Sequence, residues 1–407
     1  SIFDENVIHI ILTAYWKNLK NKYKDLVYWI NIDKLDWENL SSNPNAIYLL
    51  EIRNEFENCL SIKAYNNLRD KICWGNLSLN PNAIELLTNN KDKLDKKGLL
   101  WLFDSTPILL TFWRKNEDDI DKIWDLINNN EYTNKDVEEL RIDWSDLCLN
   151  PNAIELLTNN KNKICWYVLS ENPNAIELLT NNQDKINWFN LSVNPNAIDL
   201  LKIRIEYENS LSVEDYNNLR DKINWDNLSS NPNAIELLAN NKNKICWDVL
   251  SENPNAIELL TNNQDKIHWS ILSKNPNAIE LLTNNQDKIH WSILSKNPNA
   301  INLLKIRIEY ENSLSSQDYN NIQNKINWGN LSTNPNAIDL LKQRIEYENN
   351  LTKTQYNNLT YLDKIDWENL CLNPNAIDLL EENEDKINWY YLSSNPSIFE
   401  DEPMPTI

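Results

Sequence analysis

Hydrophobic and polar positions recur along this chain with a period of 22 residues. Each period follows the pattern W-x-x-L-S-x-N-P-N-A-I-x-L-L-x-x-N-x-x-K-I-x, with a tryptophan seven residues before a proline. In the copy that begins at Trp188, Trp188 and Leu191 share one helical face. Ala197, Ile198 and Leu201 share a face of a second helical segment. Each copy is therefore predicted to form two short helices.

Local signals predict where these helices begin and end. Asn194 and Pro195 suit the cap and the first residue of the second helix. Asn181 and Asn182 tolerate left-handed backbone, so they are expected to end the second helix of the preceding copy. Asp184 is expected to cap the first helix of the next copy.

Helices this short are unstable alone, so neighbouring copies must stack to bury their apolar faces. The predicted fold is all-α, an α-solenoid of 22-residue two-helix repeats with some 37–39-residue three-helix units. Because packed helices lie about 8–10 Å apart, a dozen copies predict an elongated superhelix on the order of 100 Å long.

The repeat pattern divides the chain. Residues 1–36 lack it and are interpreted as an N-terminal helical cap. Residues 37–399 form the predicted solenoid, in which 88–143 are degenerate repeats that align on Pro107. Residues 400–407 are interpreted as a frayed acidic tail.

Some copies carry about fifteen extra residues. The extra residues 202–211 are expected to lengthen the second helix of their copy. A third helix is then expected to begin at Ser212, with Asp215 three residues on, as in a capping box.

Composition narrows the possible functions. The net charge of −21 argues against binding to nucleic acid or to an anionic membrane, since both need lysine and arginine. The charge fits a basic protein partner. The six cysteines are scattered and form no CxxC pair, which is typical of reduced thiols. Without an apolar run of ~18 residues or a signal peptide, an intracellular location is expected, not a secreted one.

Three sets of residues in the repeat are candidates for binding or catalysis: the tryptophans, the residues that precede them, and the repeated carboxylates. The tryptophan ladder suits base stacking, but the acidic charge favours core packing. Cys246, His268 and His290 precede successive tryptophans, yet rungs about 8–10 Å apart cannot share a metal that needs ligands at ~2.0–2.3 Å. A ladder of equivalent carboxylates offers no pocket for hydrolysis. We therefore expect no enzyme activity, no cofactor and no metal.

The run Trp166–Leu179 and the closing Asn395–Phe399 carry a family resemblance. They resemble the tandem-repeat proteins encoded by giant DNA viruses of protists, over about residues 37–399. The two-helix layout is also similar to leucine-rich variant repeats, which lack the tryptophan. The resemblance implies a viral origin, with a location in the host cytoplasm or the virion, and implies no established activity.

Two sets of positions are candidates for a partner surface. The positions after each tryptophan vary most, which is consistent with either a binding surface or drift. The residue after each Asn-Pro-Asn-Ala-Ile is mostly acidic and forms either a solvated face with ion pairs to lysine or a stripe for a basic partner. The candidates are Tyr167, Phe189, Asp226, Asp248, Ser270 and Ser292 in the first set, and Glu177, Asp199, Glu236, Glu258 and Glu280 in the second.

Three functions remain open at this stage. The first is a scaffold that binds a host or viral protein of unknown identity along one face of the solenoid. The second is a structural component of a virion or viral factory. The third, weaker one is an acidic decoy of nucleic acid. The sequence leaves the oligomeric state open.

Overall fold

A computed structural model describes residues 25–60, 62–68, 70–90 and 142–400. It contains twelve units that each begin with a short helix, the Trp helix, and we number the units 1 to 12 in chain order. The Trp helices are Trp37–Ser42, Trp74–Leu79, Trp144–Leu149, Trp166–Leu169, Trp188–Leu191, Trp225–Ser230, Trp247–Leu250, Trp269–Leu272, Trp291–Leu294, Trp328–Leu331, Trp367–Leu372 and Trp389–Leu392.

A second helix, the Ile helix, follows in units 1 to 11 and packs against the Trp helix of its own unit. The Ile helices are Ile47–Cys59, Ile84–Asn90, Ile154–Thr158, Ile176–Thr180, Ile198–Ser210, Ile235–Ala239, Ile257–Thr261, Ile279–Thr283, Ile301–Asn312, Ile338–Asn349 and Ile377–Glu381. The predicted two-helix unit is thus confirmed.

Units 1, 5, 9 and 10 also carry the predicted third helix, here Ile62–Asn67, Val213–Asn218, Ser316–Asn321 and Lys353–Asn358. The remaining elements are single 3-10 turns and one strand pair. The 3-10 turns are Ile32–Lys34, Lys161–Lys163, Pro173–Ala175, Gln183–Lys185, Lys242–Lys244, Gln264–Lys266, Gln286–Lys288, Tyr361–Asp363, Glu384–Lys386 and Pro396–Ile398. The strands are Asp25–Leu26 and Phe399–Glu400.

The Asn-Pro-Asn-Ala segment is a turn, so the prediction that the second helix begins at Pro195 is wrong. The Oδ1 atom of Asn194 accepts from the backbone N–H of Asn196 at 3.0 Å, which closes a tight turn. Ala197 is then the cap residue and the helix begins at Ile198. The first asparagine therefore caps the turn and keeps its amide nitrogen free for another contact.

The prediction of left-handed asparagines at the end of the Ile helix is also wrong. Asn181 has φ −77° and ψ −7°, and Asn182 has φ −138°. The Nδ2 atom of Asn182 instead donates to the carbonyl of Leu178 at 2.8 Å and satisfies the helix end. Asp184 lies in a 3-10 turn, and it is Asn187 whose side chain caps the next Trp helix, by accepting from Asn190 N–H.

Buried leucines form the continuous core that the repeat pattern predicts. Leu191, Ala197 and Leu201 of unit 5 are at most 1% exposed, and their counterparts in the other units are buried in the same way. One cluster of buried residues extends from Ile30 to Phe399. The core is therefore a continuous ladder of equivalent side chains.

Asparagine side chains join each unit to the one before it. Asn275 of unit 8 donates through Nδ2 to two carbonyls of unit 7, those of Ser251 at 3.2 Å and Asn253 at 2.9 Å. The neutral amide thus uses both donors and its acceptor, and the asparagine is fully buried. The other units repeat these bonds through Asn80, Asn150, Asn172, Asn194, Asn231, Asn253, Asn297, Asn334, Asn373 and Asn395.

Unit 1 makes the same bonds to unit 12, so the stack of units is closed on itself. Asn43 donates to the carbonyls of Ser393 at 3.1 Å and Asn395 at 3.0 Å. Asn45 donates to the carbonyl of Pro396 at 2.9 Å, and its counterparts in units 2 to 11 donate in the same way to the proline of the unit before, as Asn277 does to Pro254. The twelve buried asparagines therefore form a complete cycle in which every one donates to the preceding unit.

A short strand pair reinforces this closing interface, which we call the seam. Asp25 pairs with Glu400 and Leu26 with Phe399 in antiparallel register. The α-solenoid prediction is confirmed, but the prediction of an elongated superhelix is wrong, because the two ends of the repeat array contact each other. The repeat period and the predicted helices determine how neighbouring units stack. Closure of the ring depends on the small rotation between one unit and the next, which cannot be read from any single residue.

We infer from the spacing of the two helix layers that the Trp helices line the inside of this ring. The backbones of neighbouring Trp helices approach each other closely between units 1 and 2, 2 and 3, 3 and 4, 6 and 7, and 11 and 12, whereas among the described residues no two consecutive Ile helices do, even where both are long, as in units 9 and 10. In a closed ring, the layer with the closer spacing is the one nearer the axis. Twelve helices about 8–10 Å apart give a ring about 30–40 Å across between helix axes, with an opening of about 20–25 Å.

An ion pair between an arginine and a buried glutamate holds the extra residues of each long unit against the rest of that unit. In unit 5 the Nε atom of Arg204 lies 2.9 Å from the carboxylate of Glu208, which also accepts from the backbone N–H of Ile223 at 3.0 Å. The guanidinium stacks over Trp188. The same pair recurs as Arg53–Glu57, Arg307–Glu311 and Arg344–Glu348.

The remaining predictions of chain organisation are only partly covered. Within the predicted cap, residues 25–36 hold a strand and a 3-10 turn, and the rest lies outside the described residues. The degenerate unit at Pro107 and the tail from 401 also lie outside them. The two units that flank the degenerate segment contact each other directly, since Asn150 donates to the carbonyls of Ser78 and Asn80.

Candidate interaction surface

The tryptophans of the repeat belong to the core, as the charge argument predicts. Trp74, Trp291 and Trp328 are buried, and the others are half-buried against the same cluster. In several units a lysine or arginine lies over the face of the indole. For example, the Nζ atom of Lys288 is 4.3 Å from the centroid of the Trp269 indole. These indole rings therefore stabilise the frame.

The residues before the tryptophans are helix caps. Cys246, His268 and His290 each precede a Trp helix, and the backbone N–H of His268 donates to the hydroxyl of Ser251 at 3.1 Å. The Nδ1 atom of His268 also accepts from Ile271 N–H at 3.3 Å. Within the described residues, no group of three or more histidine, cysteine or acidic side chains could hold a metal ion.

The serine of each repeat is a relay between units. Ser251 donates to the carbonyl of Trp247 at 2.8 Å and accepts from the next unit. Cys148 and Cys371 occupy this position in units 3 and 11, where their thiols meet the backbone N–H groups of Cys165 and Asn388. Burial raises the pKa of both thiols to about 11.

The predicted acidic stripe lies on the outer layer, one residue into each Ile helix. Its members Glu177, Asp199, Glu236, Glu258 and Glu280 are all exposed. None of the five forms an ion pair with another described residue. The lysines near each tryptophan point elsewhere, because Lys185 pairs with Asp184 and Lys244 lies over Trp225. The expected ion pairs between repeats are therefore absent from this stripe.

The variable positions lie on the inner layer, facing away from the core. The residue one after each tryptophan, position +1, and the residue five after it, position +5, share one face of the six-residue Trp helices, since helical residues four apart are neighbours. In the four-residue Trp helices position +5 lies in the turn that directly follows the helix. We call these two rows the inner stripe. Tyr167, Phe189, Asp226 and Asp248 are exposed at +1, and Ser270 and Ser292 are half-buried there.

One arc of the inner stripe is apolar. Leu79 and Leu149 at +5 in units 2 and 3 are followed by Tyr167 at +1 in unit 4 and Phe189 at +1 in unit 5. Tyr167 is 55% exposed and Phe189 46% exposed. Val193, at +5 in unit 5, is half-buried beside them. Four consecutive units thus present large apolar side chains towards the centre of the ring.

The charge of the inner stripe changes sign further along the ring. Units 6 and 7 present Asp226, Asp248 and Glu252, whereas units 8 and 9 present Lys274 and Lys296 at +5. The Nζ atom of Lys274 lies 3.8 Å from the carboxylate of Glu252, where the two regions meet. Within the apolar arc, burial raises the pKa of the Glu171 carboxyl, which lies in the turn directly after the helix of Tyr167.

The two predicted residue sets thus lie on separate surfaces. The +1 residues face the interior of the ring, and the acidic residues lie on its outside. The +5 residues Leu79, Leu149, Val193 and Glu252 were missed from the sequence. Their spacing of four from the +1 position is the signal that identifies them.

Comparison with known proteins finds no matching family model, no similar curated protein and no similar solved structure. Among the described residues, no helix is long and apolar enough to cross a membrane.

Proposed function

We propose that this protein is a non-enzymatic scaffold that binds a protein partner on the inner stripe of its ring. The inter-unit asparagine bonds repeat in every unit, while position +1 holds glutamate, glycine, serine, tyrosine, phenylalanine or aspartate. Repeat proteins bind through such variable residues on a fixed frame. The observation that carries the proposal is the contiguous apolar arc, since exposed apolar patches mark interaction sites.

The outer acidic stripe favours a second candidate, an acidic decoy of nucleic acid or a surface for a basic protein. Its five carboxylates are exposed and have no basic partner among the described residues. Exposed charges attract basic partners over distances of about a Debye length, ~8–10 Å at physiological salt. Binding of this kind weakens as salt rises, whereas apolar binding persists.

A viral origin, and with it a place in the host cytoplasm or in a virion, stays part of the proposal on the strength of the sequence resemblance. A structural component of a virion or viral factory would use the same exposed surfaces for assembly. The scaffold function is preferred because exposed apolar residues of the inner stripe are unevenly distributed: they run through units 2 to 5, recur only as the shorter pair Leu372 and Tyr390 in units 11 and 12, and are replaced by acidic residues or lysines in units 6 to 9.

Affinity capture from infected host cells, read by mass spectrometry at low and high salt, tests the proposal. The variants are Tyr167→Ser/Phe189→Ser on the inner stripe and Glu236→Gln/Glu258→Gln/Glu280→Gln on the outer stripe. A stoichiometric protein retained at both salts and lost only from the inner variant supports the scaffold. Basic proteins that elute with salt and are lost only from the outer variant support the decoy. Recovery of capsid proteins alone supports the structural component.

A further inference from the structure

We propose that units 2 to 7 of the inner stripe bind one extended polypeptide segment that carries large apolar side chains followed by lysine or arginine. This inference rests on the proposed scaffold function and adds the chemical class of the partner. The arc from unit 2 to unit 7 is half of the twelve-unit ring, and its apolar part, units 2 to 5, differs sharply in character from its acidic part, units 6 and 7.

The apolar part of the arc, units 2 to 5, supplies the side chains that would contribute most of the binding energy. Leu79 is 42% exposed and Leu149 39% exposed, and both stand at the same position of adjacent units. Tyr167 and Phe189 continue the strip in the next two units. Aromatic and aliphatic side chains in a concave, partly desolvated setting are typical of the residues that dominate binding energy. A complementary segment needs apolar side chains about one unit, ~8–10 Å, apart.

The acidic part of the arc, units 6 and 7, determines the charge of the bound segment and the direction in which it runs. Asp226 and Asp248 are exposed at +1 in units 6 and 7, directly after Phe189 in unit 5. Glu252 lies in the turn directly after the helix of Asp248, and its carboxylate is 3.8 Å from the Nζ atom of Lys274 in unit 8. Basic residues in the partner would therefore lie on units 6 and 7, and the lysines of units 8 and 9 would repel their continuation.

The length of the arc fits an extended chain. Five steps of about 8–10 Å span about 40–50 Å. Because this span is measured between helix axes and the segment would lie inside them, an extended segment of at most about 12–15 residues covers the arc at ~3.3 Å per residue. A second copy of this chain suits the arc poorly, because its net charge of −21 would be repelled by the acidic residues of units 6 and 7.

Selection from a phage library of random linear 15-residue peptides tests the inference on the full chain. Peptides that also bind Tyr167→Ser/Phe189→Ser are removed. The expected consensus has two or more large apolar residues followed by lysine or arginine. A synthetic consensus peptide should then bind at least tenfold more weakly to the same double variant, as for a truncated hot spot. Asp226→Asn/Asp248→Asn should weaken binding about two- to fivefold at low salt and less at high salt.

Tyr390→Ser is the matched control. Tyr390 stands at the same +1 position in unit 12, outside the arc, and is 51% exposed. Its substitution should leave the peptide affinity unchanged. Circular dichroism and urea unfolding of all variants would show whether any loss of binding reflects loss of the fold.

Three results would overturn the inference. The selection could yield no peptide specific for the intact arc, or a consensus without basic residues. Tyr390→Ser could weaken binding as much as the arc variants do. Light scattering could reveal a dimer that the arc variants abolish, which would make a second copy the occupant. If any of these results is found while a stoichiometric cellular protein is still captured at both salts and lost only from the inner variant, the scaffold function stands and this inference fails.

Discussion

The seam between units 12 and 1 and the interface between units 7 and 8 differ in origin but are built alike. Residues 258–279 and 280–301 are the same 22-residue sequence, so units 7 and 8 are joined by the most regular part of the chain. The seam joins residues more than 300 positions apart, yet Asn43 makes there the two bonds that Asn275 makes between units 7 and 8. Chain connectivity therefore contributes little to the geometry of an interface.

The two interfaces differ in what surrounds these shared bonds. At the seam the Nδ2 atom of Asn39 has no partner among the described residues. At the same position Asn76 and Asn227 of units 2 and 6 donate to the preceding unit, and unit 8 has the apolar Ile271. The seam gains the strand pair and an edge-to-face contact between Trp29 and Trp389, with centroids 6.4 Å apart. It is an ordinary repeat interface that lacks the bond made by Asn76 and Asn227 and gains the strand pair and the aromatic contact.

Removal of unit 12 should break this comparison most strongly. Deleting residues 389–407 removes the partner of both unit 11 and unit 1, and leaves two complementary ends exposed. Head-to-tail ends of this kind associate between chains. We expect concentration-dependent oligomers by light scattering and a large loss of stability.

A circular permutant is the control for that deletion. New termini between Asn263 and Gln264, with Glu400 joined to Asp25 by a two-residue turn, keep all twelve interfaces. The permutant should remain a monomer and unfold close to the urea midpoint of the chain 25–400. A permutant that fails to fold while the deletion stays monomeric would contradict closure.

Single asparagine substitutions sharpen the comparison. Asn275→Ala and Asn43→Ala each remove two buried bonds to carbonyls and the bond that closes the turn. Each should lower the free energy of unfolding by about 2–4 kcal/mol, since buried carbonyls lose their donors. Urea unfolding gives both values. In an open stack Asn43 would lie on an exposed end, and its substitution would cost much less than that of Asn275.

Alkaline pH tests the relay position. Because burial raises the folded pKa of Cys148 and Cys371 to about 11, the unfolded thiols ionise first as pH rises above their ordinary value near 9. Stability contributed by the neutral folded thiols is therefore lost between about pH 9 and 11. Cys148→Ser/Cys371→Ser should gain about 1 kcal/mol per site over the native chain at pH 10, relative to their difference at pH 7. A constant difference between the two proteins across this range would refute the assignment.

The outer stripe should show the smallest effect. Glu280→Gln removes an exposed charge that has no ion-pair partner among the described residues, so the free energy of unfolding should change by less than about 0.5 kcal/mol. Thermal unfolding at low salt would detect a larger change, which would indicate that the outer stripe stabilises the ring.

The sequence predicts the two-helix repeat unit but not the closure of the ring. The positions of Trp188, Leu191 and Leu201 predict two helices and a shared core, because burial imposes a helical period. Asn194 also fits a helix cap, and only the tertiary contact with the preceding unit shows that it closes a turn and donates across the interface. Ring closure depends on rotations that accumulate over twelve units, which no local pattern encodes.

The candidate surface was predicted in part for the same reason. Tyr167 and Phe189 stand out because their position varies between copies. Leu79 and Leu149 resemble core leucines in the sequence, and their exposure follows from the packing of the Trp helices around the ring. A helical wheel of two turns cannot separate a core face from the face that lines an opening.

Distance measurement between spin labels tests the closed ring most directly. One pair of labels replaces Ser42 of unit 1 and Leu372 of unit 11, which are two interfaces apart across the seam. The matched pair replaces Ser230 of unit 6 and Lys274 of unit 8, at the same +5 positions and also two interfaces apart. The native cysteines are replaced by serine or asparagine. A closed ring predicts similar distributions centred at about 15–25 Å for both pairs. A short distance for the internal pair with one near 80–100 Å across the seam would contradict closure and restore the open superhelix.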